Sequence, residues 1–354
     1  MKKLAALLLL LPLLSGCAHI TEIDSLMIVS GIAVDKKDNE YDLTTQIVKI
    51  ASSDQNDRSA LFINTAGRSL AGALSNIVTQ DGEKLFFNHT QIIFISGELL
   101  ADEGISHLIE TLNLEARFRS SVRLAVTETS AADVIRGKAL NGDISSFALN
   151  QAIDQSSLLI KTPDTPFFCF LNDVLEDGAD GILPLVTVKE ADGERIPVIN
   201  GTALFKDDRF VKALSTEQTQ FLLLAKNDVE SGSLVIGDSV FRIIKSKPKI
   251  TCSGFNTKIT VDASLTLLEG GSKDNDTTRL IAENGIREGL NDLFGILKET
   301  GCDPVGIGRR IKRENCELWK SIYPETWKKI YKDLPIEYEI SVKIVDPAKM
   351  VPEK

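Results

Sequence analysis

The pattern that most constrains the fold is an apolar strand, an amphipathic helix and a second apolar strand within residues 91–126. Residues 91–96 (QIIFIS) form a continuous apolar run, and residues 121–126 (SVRLAV) are interpreted as the returning strand. Between them, apolar side chains recur at helical spacing at Ile105, Leu108, Ile109 and Leu112. A helical crossover of this length joins parallel strands. Part of the first sheet is therefore predicted to be parallel.

The rest of the first half predicts strands and helices that join the same sheet. Residues 26–34 suit a buried strand, residues 41–50 (YDLTTQIVKI) pair back on it as a hairpin, and residues 52–59 form a polar loop. Leu70, Leu74 and Ile77 recur at helical spacing, and Ser130 is expected to cap a short helix that runs through Ile135. These residues predict an N-terminal α/β domain over 17–139 with a mixed sheet.

Residues 140–196 are predicted to form a small middle domain. The segment has helical spacing over 148–159 and an acidic loop at 176–180, and residues 183–188 read as a strand. The stretch Arg195-Ile196-Pro197 marks its boundary with the last domain.

The last domain, 197–354, predicts a curved antiparallel sheet packed on one long helix. A hairpin over 202–211 opens it, followed by a capping box at Ser215 and Gln218 and by strands at 233–236, 241–245 and 258–268. A helix over 277–298 and an alternating strand over 337–345 complete it. The predicted fold class is α+β with three domains.

The first 17 residues have the parts of a bacterial export signal. Lys2 and Lys3 precede an uncharged run over 4–14, and Ser15 and Gly16 lead directly to Cys17. A membrane-spanning helix needs roughly 20 apolar residues, more than this run contains. The tetrad LSGC reads as a lipobox: residues 1–16 are predicted to be removed as a signal peptide, and Cys17 to carry a diacylglyceryl lipid. The alternative is an ordinary signal peptide with an incidental cysteine.

Charge limits the partners of the mature chain. The full sequence has net charge −10; without Lys2 and Lys3, 38 basic residues face 50 acidic ones, a net charge of −12. Such a chain is not expected to bind nucleic acid, and anionic lipid head groups should repel it. The two acyl chains on Cys17 are therefore expected to provide the membrane anchor.

The remaining cysteines leave several alternatives open. Cys169, Cys252, Cys302 and Cys316 permit two disulfides in three connectivities, among them a Cys302–Cys316 bridge. The apolar neighbours of Cys169 favour a buried free thiol instead. No CxxC pair is present, so no zinc site, and no other metal or cofactor, is predicted.

No motif in the sequence predicts catalysis. The histidines are His19, His89 and His107, without an HExxH pair, and His89 is interpreted as structural. The sequence contains neither a GK[ST] loop nor a GxSxG elbow, and Gly306-Ile307-Gly308 lacks the third glycine of a dinucleotide loop. We instead expect Gly306 and Gly308 to provide a positive φ or close packing at a helix start. Carboxylates such as those over 35–38 and 274–276 are interpreted as solvated.

Several segments resemble the Ger(x)C lipoproteins, the C subunits of nutrient germinant receptors in endospore-forming bacteria. The matching stretches, in chain order, are Cys17 with residues 28–35 (IVSGIAVD), residues 86–101 with Gly104 and Ile105, residues 117–119 (RFR), residues 201–205 (GTALF), residues 302–308 (CDPVGIG), and Trp319 and Trp327 with the final strand. The chain departs from the family after the lipidated cysteine, where relatives commonly have Trp and this chain has Ala18-His19.

The resemblance implies a non-enzymatic subunit on the outer face of the inner spore membrane. It implies partners, namely an integral A subunit and a transporter-like B subunit, and a role in nutrient-triggered germination. It supplies no catalytic residues and leaves open the nutrient, any nutrient contact and the partner-binding surface. Two other classes are the alternatives: a substrate-binding lipoprotein of a transporter, which would have two similar lobes, and an envelope hydrolase.

Overall fold

Two β-sheets organise the part of the chain that the computed structural model describes, residues 26–50, 58–81, 84–116, 118–119, 121–229, 231–272, 274–322 and 324–346. The strands are β1 (Leu26–Lys37), β2 (Glu40–Ile50), β3 (Arg58–Gly67), β4 (Lys84–Phe86), β5 (Ile92–Ser96), β6 (Arg123–Thr127), β7 (Ile182–Ala191), β8 (Glu194–Lys206), β9 (Arg209–Leu214), β10 (Gly232–Ile236), β11 (Ser239–Ser253), β12 (Asn256–Glu269) and β13 (Ile336–Ile344). The helices are α1 (Leu70–Asp81), α2 (Gly97–Asp102), α3 (Ser106–Ala116), α4 (Ala131–Arg136), α5 (Ser145–Leu158), α6 (Phe167–Leu175), α7 (Thr216–Lys226), α8 (Asn275–Thr300), α9 (Ile307–Glu314), α10 (Cys316–Ser321) and α11 (Pro324–Lys332). The α+β class is confirmed.

The large sheet has a parallel centre and antiparallel flanks. Its order is β3-β2-β1-β5-β6-β7-β8-β9, with β4 beside the start of β1. Strands β1, β5, β6 and β7 are parallel, so the predicted strand–helix–strand unit is confirmed as β5-α2-α3-β6. Hairpins β1-β2-β3 and β7-β8-β9 flank this centre. The starts of the parallel strands lie at one edge of the sheet, which we call the amino edge.

Helices cover both faces of this sheet, which explains the uninterrupted apolar runs in its central strands. On β5, Ile93 and Ile95 pack in the core beneath α1, α2 and α3, whereas Ile92 and Phe94 pack in a second core beneath α4 and α5. All four side chains are buried. The Ser130 cap of α4 is as predicted.

The second sheet, β10-β11-β12-β13, packs on the long helix α8. The core side chains of that helix are those predicted from its spacing: Ile286, Leu290, Leu293, Phe294 and Leu297. The antiparallel prediction holds for β10, β11 and β12 but is wrong for β13, which pairs parallel to β12. The helices α8 to α11 return the chain to the starting end of β12, so the next strand runs in the same direction. The alternation of apolar and polar residues in β13 would be the same whether the strand ran parallel or antiparallel to β12.

A further difference concerns the end of a predicted element. Strand β3 begins at Arg58, inside the predicted polar loop 52–59, whose residues 52–57 lie outside the described part of the chain. The strand carries polar residues such as Asn64 and Thr65 and pairs with β2 alone, so its pattern is weak in the sequence.

Strands from all three predicted domains share the large sheet. β7 comes from the segment 140–196, β8 crosses its boundary at Pro197, and β9 comes from the last segment. Ile182, Leu204 and Leu214 of these strands also pack in the core beneath the second sheet. The three-domain division stays a prediction.

Candidate functional site

The predicted lipid-attachment residue, Cys17, and His19 lie outside the described residues. The other predicted candidates are spread over the molecule. His89 and His107 are both exposed, and His89 lies in a short 3-10 helix beside the Phe86 ring. No described group of three or more His, Cys, Asp or Glu side chains is placed to hold a metal ion.

The four described cysteines are all free. The Cys302–Cys316 bridge that the sequence left open is not formed: Cys302 is buried and Cys316 is exposed. Cys169, predicted to be buried, is half-exposed because only some side chains of the short helix α6 face the core. Burial raises the pKa of the Cys302 thiol to about 12, so this group is protonated at neutral pH.

A cluster of buried polar groups lies where the loop between α6 and β7 meets the segment that leads into α9. We call this cluster the junction; its residues are Gly178, Asp180, Lys206, Asp303 and Gly308. It joins the large sheet to the second half of the chain through reciprocal backbone bonds. The N–H of Asp180 donates to the carbonyl of Asp303 at 3.0 Å, and the N–H of Arg309 donates to the carbonyl of Gly178 at 2.7 Å.

Asp303 organises the start of α9 from inside the junction. Its carboxylate accepts the N–H groups of Gly306, Ile307 and Gly308 at 2.9, 2.9 and 2.7 Å. These are donors that a helix start leaves without intrahelical partners. Burial raises the pKa of the Asp303 carboxyl to about 7, against the lowering effect of the three donors.

Asp180 ties the same segment to the large sheet. Its carboxylate accepts Lys206 Nζ at 2.9 and 3.1 Å, the Asp303 N–H at 2.6 Å and the Asp207 N–H at 3.2 Å. The side chain of Asp180 is 4% exposed and that of Lys206 18%. A buried pair of this kind is costly to break, because the remaining charge is left without compensation.

Two glycines allow the backbones at the junction to touch. The Cα of Gly178 lies 2.8 Å from where a Cβ on Gly308 would stand, and that Cβ would also lie 2.6 Å from the Trp327 indole. Gly306 has φ +75° and begins α9. The predicted roles of Gly306 and Gly308, positive φ and close packing at a helix start, are confirmed.

Charged and aromatic side chains surround this contact. Arg309 pairs with Asp173 at 2.7 Å and with Glu176 at 3.2 Å, while Lys312 reaches Asp177 at 3.6 Å. The acidic loop thus neutralises the basic face of α9. The rings of Trp319 and Trp327 lie 5.6 Å apart beside it, and Trp327 lies 5.7 Å from the ring of the buried Tyr331.

The junction is built to connect the two halves of the chain. Its carboxylates are saturated with donors from the chain itself, and its thiol, Cys302, is protonated. The cleft beside it has a volume of about 90 Å³, room for about three water molecules. The Tyr331 hydroxyl is fully buried and has no hydrogen-bond partner among the described groups.

Sequence reasoning missed three carboxylates that have structural roles. Asp35 was interpreted as solvated, but it accepts the N–H groups of Ala131 and Ala132 at 2.8 Å and holds the start of α4. Asp180 lies in the predicted acidic loop, whose composition gives no sign of the ion pair with Lys206. Asp303 had a usable signal, since an acid shortly before a predicted helix start is typical of a cap.

Titration of Asp303 should make the stability of the chain depend on pH. The folded carboxyl keeps its proton up to a pKa of about 7, whereas an unfolded Asp releases it near the model value of 3.8. Raising the pH between these values therefore favours the unfolded chain. We expect the stability of the wild type relative to Asp303→Asn to fall from pH 4 to pH 7, by on the order of 4 kcal/mol at most. Urea denaturation of both proteins across this pH range measures the difference between their free energies of unfolding. The other titrating groups are present in both proteins, so their contributions to this difference cancel.

The opposite slope would contradict the effect of burial. If the advantage of the wild type grew with pH, the three backbone donors would dominate, and the Asp303 carboxyl would be charged in the folded protein.

Two family models match consecutive parts of the chain. The spore germination protein N-terminal domain matches residues 19–188, and the model described as spore germination B3/GerAC like, C-terminal, matches residues 200–348. Both halves joined at the junction are therefore spore germination modules. The chain belongs to the Ger(x)C family of spore germination proteins.

Curated relatives match over nearly their whole length. The putative spore germination protein YfkR of Bacillus subtilis (strain 168) is 22% identical over 93% of this chain and 92% of its own. GerQC of Bacillus cereus is 23% identical over 97% and 98%, and spore germination protein B3 of Bacillus subtilis (strain 168) is 22% identical over 97% of each chain. The family gives this chain a role in spore germination.

A solved structure shares the fold. The crystal structure of the GerBC protein matches with a TM-score of 0.55 at 16% identity and covers 89% of this chain and 97% of its own.

Proposed function

We propose that the chain is the lipid-anchored, non-enzymatic C subunit of a nutrient germinant receptor. A diacylglyceryl group on Cys17 holds it at the outer face of the inner spore membrane. There it assembles with an integral A subunit and a transporter-like B subunit and supports nutrient-triggered germination.

One observation carries this proposal: the two family models together span residues 19–348, directly after the lipobox at Cys17. The junction supports a non-enzymatic role, since its buried polar groups bind one another rather than open onto a substrate cleft. None of the described helices is both long and apolar enough to cross a bilayer.

The substrate-binding alternative has no observation in its favour. It requires two similar lobes around a ligand cleft. The two halves here differ, because one sheet has a parallel centre with helices on both faces and the other packs on a single long helix.

Replacing Cys17 by alanine tests the anchor. Expressed without the A and B subunits in a bacterium that lipidates proteins, the wild type should sediment with membranes, and Cys17→Ala should be almost entirely soluble. Two acyl chains hold a protein firmly at a bilayer, whereas this acidic chain has no comparable attraction of its own. Cys316→Ala is the matched control because Cys316 is an exposed free thiol whose loss leaves Cys17 intact.

Spores provide the functional readout of the same variant. Spores with Cys17→Ala should germinate more slowly in response to nutrients and normally by nutrient-independent routes. If Cys17→Ala sedimented with membranes as the wild type does, the proposed anchor would be wrong. If spores that lack the chain and any paralogue germinated normally in response to nutrients, the proposed receptor role would be wrong.

A further inference from the structure

The position of β1 restricts which part of the molecule can lie near the membrane. Leu26 begins β1, and nine Cα-to-Cα steps separate it from Cys17. A fully extended chain covers at most about 3.3–3.6 Å per residue, so Leu26 lies within about 30 Å of a lipid on Cys17. Since β1 is parallel to β5, β6 and β7, its start lies at the amino edge of the large sheet. A bilayer that holds Cys17 must therefore be close to this edge.

The connection between α5 and α6 lies at the same edge. Pro166 forms a β-bridge with Arg123, the first residue of β6. Gly31 of β1 pairs with Ile92 of β5, and Ile92 pairs in turn with Arg123 of β6. At about 4.8 Å between neighbouring strands, Pro166 is displaced sideways from β1 by about 14 Å, and it is level with Gly31, which lies about 17 Å along β1 from Leu26. The connection is within reach of the same patch of membrane as Cys17.

Exposed apolar side chains gather in this connection. Leu158 is 49% exposed, Leu159 47% and Phe168 52%. Single exposed apolar residues are ordinary on soluble proteins. Three large ones within eleven residues instead suggest a surface that is covered in the working molecule. We call Arg119, Leu158, Leu159, Lys161 and Phe168 together the amino-edge surface.

This surface carries two exposed cations, although the chain as a whole is acidic. Arg119 and Lys161 are exposed and form no ion pair among the described residues. The two carboxylates beside them, Asp154 and Asp164, both pair with Arg123. Asp228 is the further acid at the adjoining cleft, and burial raises its pKa. Anionic lipids repel a mature chain of net charge −12, so they favour the orientation that presents unpaired cations.

A polar cleft of about 400 Å³ opens in the middle of this edge. Phe168 stands at its rim, and its other lining residues are rich in hydrogen-bond donors: Asn88, Thr90, Gln91, Arg119, Ser121 and Asn150. Amide, hydroxyl and guanidinium donors suit phosphate oxygens.

We propose that the amino-edge surface is the face of the molecule that rests on the lipid bilayer. Phe168, Leu158 and Leu159 enter the head-group region, and Arg119 and Lys161 meet the phosphates of anionic phospholipids. This assignment rests on the proposed lipid anchor at Cys17 and adds the orientation of the anchored protein.

Tryptophan quenching tests the orientation. The lipidated full chain is incorporated through its anchor into vesicles of phosphatidylglycerol and phosphatidylcholine whose acyl chains are brominated near the glycerol. Phe168→Trp places a probe on the amino-edge surface. Leu140→Trp is the matched control, since Leu140 is 80% exposed and its loop bonds to Arg195 at the far end of β7 and β8. The native Trp319 and Trp327 are buried. Their fluorescence is measured in the parent protein and subtracted as background.

We expect bromine to quench about half of the added emission of Phe168→Trp and almost none of Leu140→Trp, because interfacial side chains lie about 5–10 Å into the head-group boundary. Adding Arg119→Glu with Lys161→Glu should reduce the quenching at position 168, whereas Lys37→Glu with Lys189→Glu, on exposed lysines at the opposite edge, should not.

Three outcomes separate the claims. Equal or stronger quenching at position 140 overturns the orientation. A protein that sediments with the vesicles but is quenched at neither position also overturns it, since the bilayer then does not cover this surface. A wild type that fails to sediment with the vesicles at all contradicts the anchor at Cys17, independently of either probe.

Discussion

Replacing Gly178 by alanine should destabilise the protein by about 3 kcal/mol, as the sum of a strained backbone and an overpacked contact. Gly178 has φ +83°, and a Cβ there would lie 2.6 Å from the backbone nitrogen of Arg309 and 2.6 Å from the carbonyl carbon of Gly308. Backbone atoms cannot turn aside as a flexible side chain does. The two halves of the chain would have to separate at the junction, and the midpoint of urea denaturation would fall.

Gly142→Ala is the matched control for this substitution. Gly142 has a similar φ, +74°, but a Cβ there would meet nothing within 4 Å. Its replacement should cost only the strain of the left-handed backbone, about 1 kcal/mol. If Gly178→Ala were no more costly than Gly142→Ala, the close approach of the two segments at the junction would be wrong.

Removing the Asp180 carboxylate should cost about 3–5 kcal/mol, the usual cost of breaking a buried ion pair. Asp180→Ala leaves the Lys206 ammonium largely enclosed without its partner and strands the N–H groups of Asp303 and Asp207. Adding Lys206→Met should restore part of the loss, because it removes the stranded charge. Denaturant midpoints of the single and double variants measure both effects.

An exposed ion pair supplies the comparison. Lys138 and Glu194 lie 3.0 Å apart, with side chains that are 58% and 52% exposed. Surface pairs contribute little, so Glu194→Ala should cost under about 1 kcal/mol. Equal costs for Asp180→Ala and Glu194→Ala would mean that water screens the Asp180 pair and that the junction is open.

Local pattern was sufficient for most elements of the fold. The apolar run and helical spacing over 91–126 predicted the parallel centre of the large sheet, and the spacing of Ile286, Leu290 and Leu293 predicted the buried face of α8. Each of these patterns is a periodicity of apolar residues within one helix or strand, so it can be recognised without knowing which elements pack against it.

What the sequence could not predict depends on partners that are distant in the chain. The direction of β13 depends on the end of the sheet to which α8 to α11 return the chain. The alternation of apolar and polar residues in the strand is the same for both directions. Asp180 and Asp303 are 123 residues apart in the sequence. The hydrogen bonds between them therefore produce no local sequence pattern from which they could be predicted. The state of the cysteines stayed open for a related reason, because spacing permits several bridges and only the folded chain shows that all four described cysteines are free.

Strands β7 and β8 have a consequence for how the protein bears force. They pair from Ile182 with Leu204 to Ala191 with Glu194, across the stretch 189–199 where one family region gives way to the next. A flexible linker at this place would let each half swing freely on its own. A paired ribbon instead restrains the two halves from moving independently, so a displacement of one half is passed to the other through hydrogen-bonded strands rather than absorbed at a hinge.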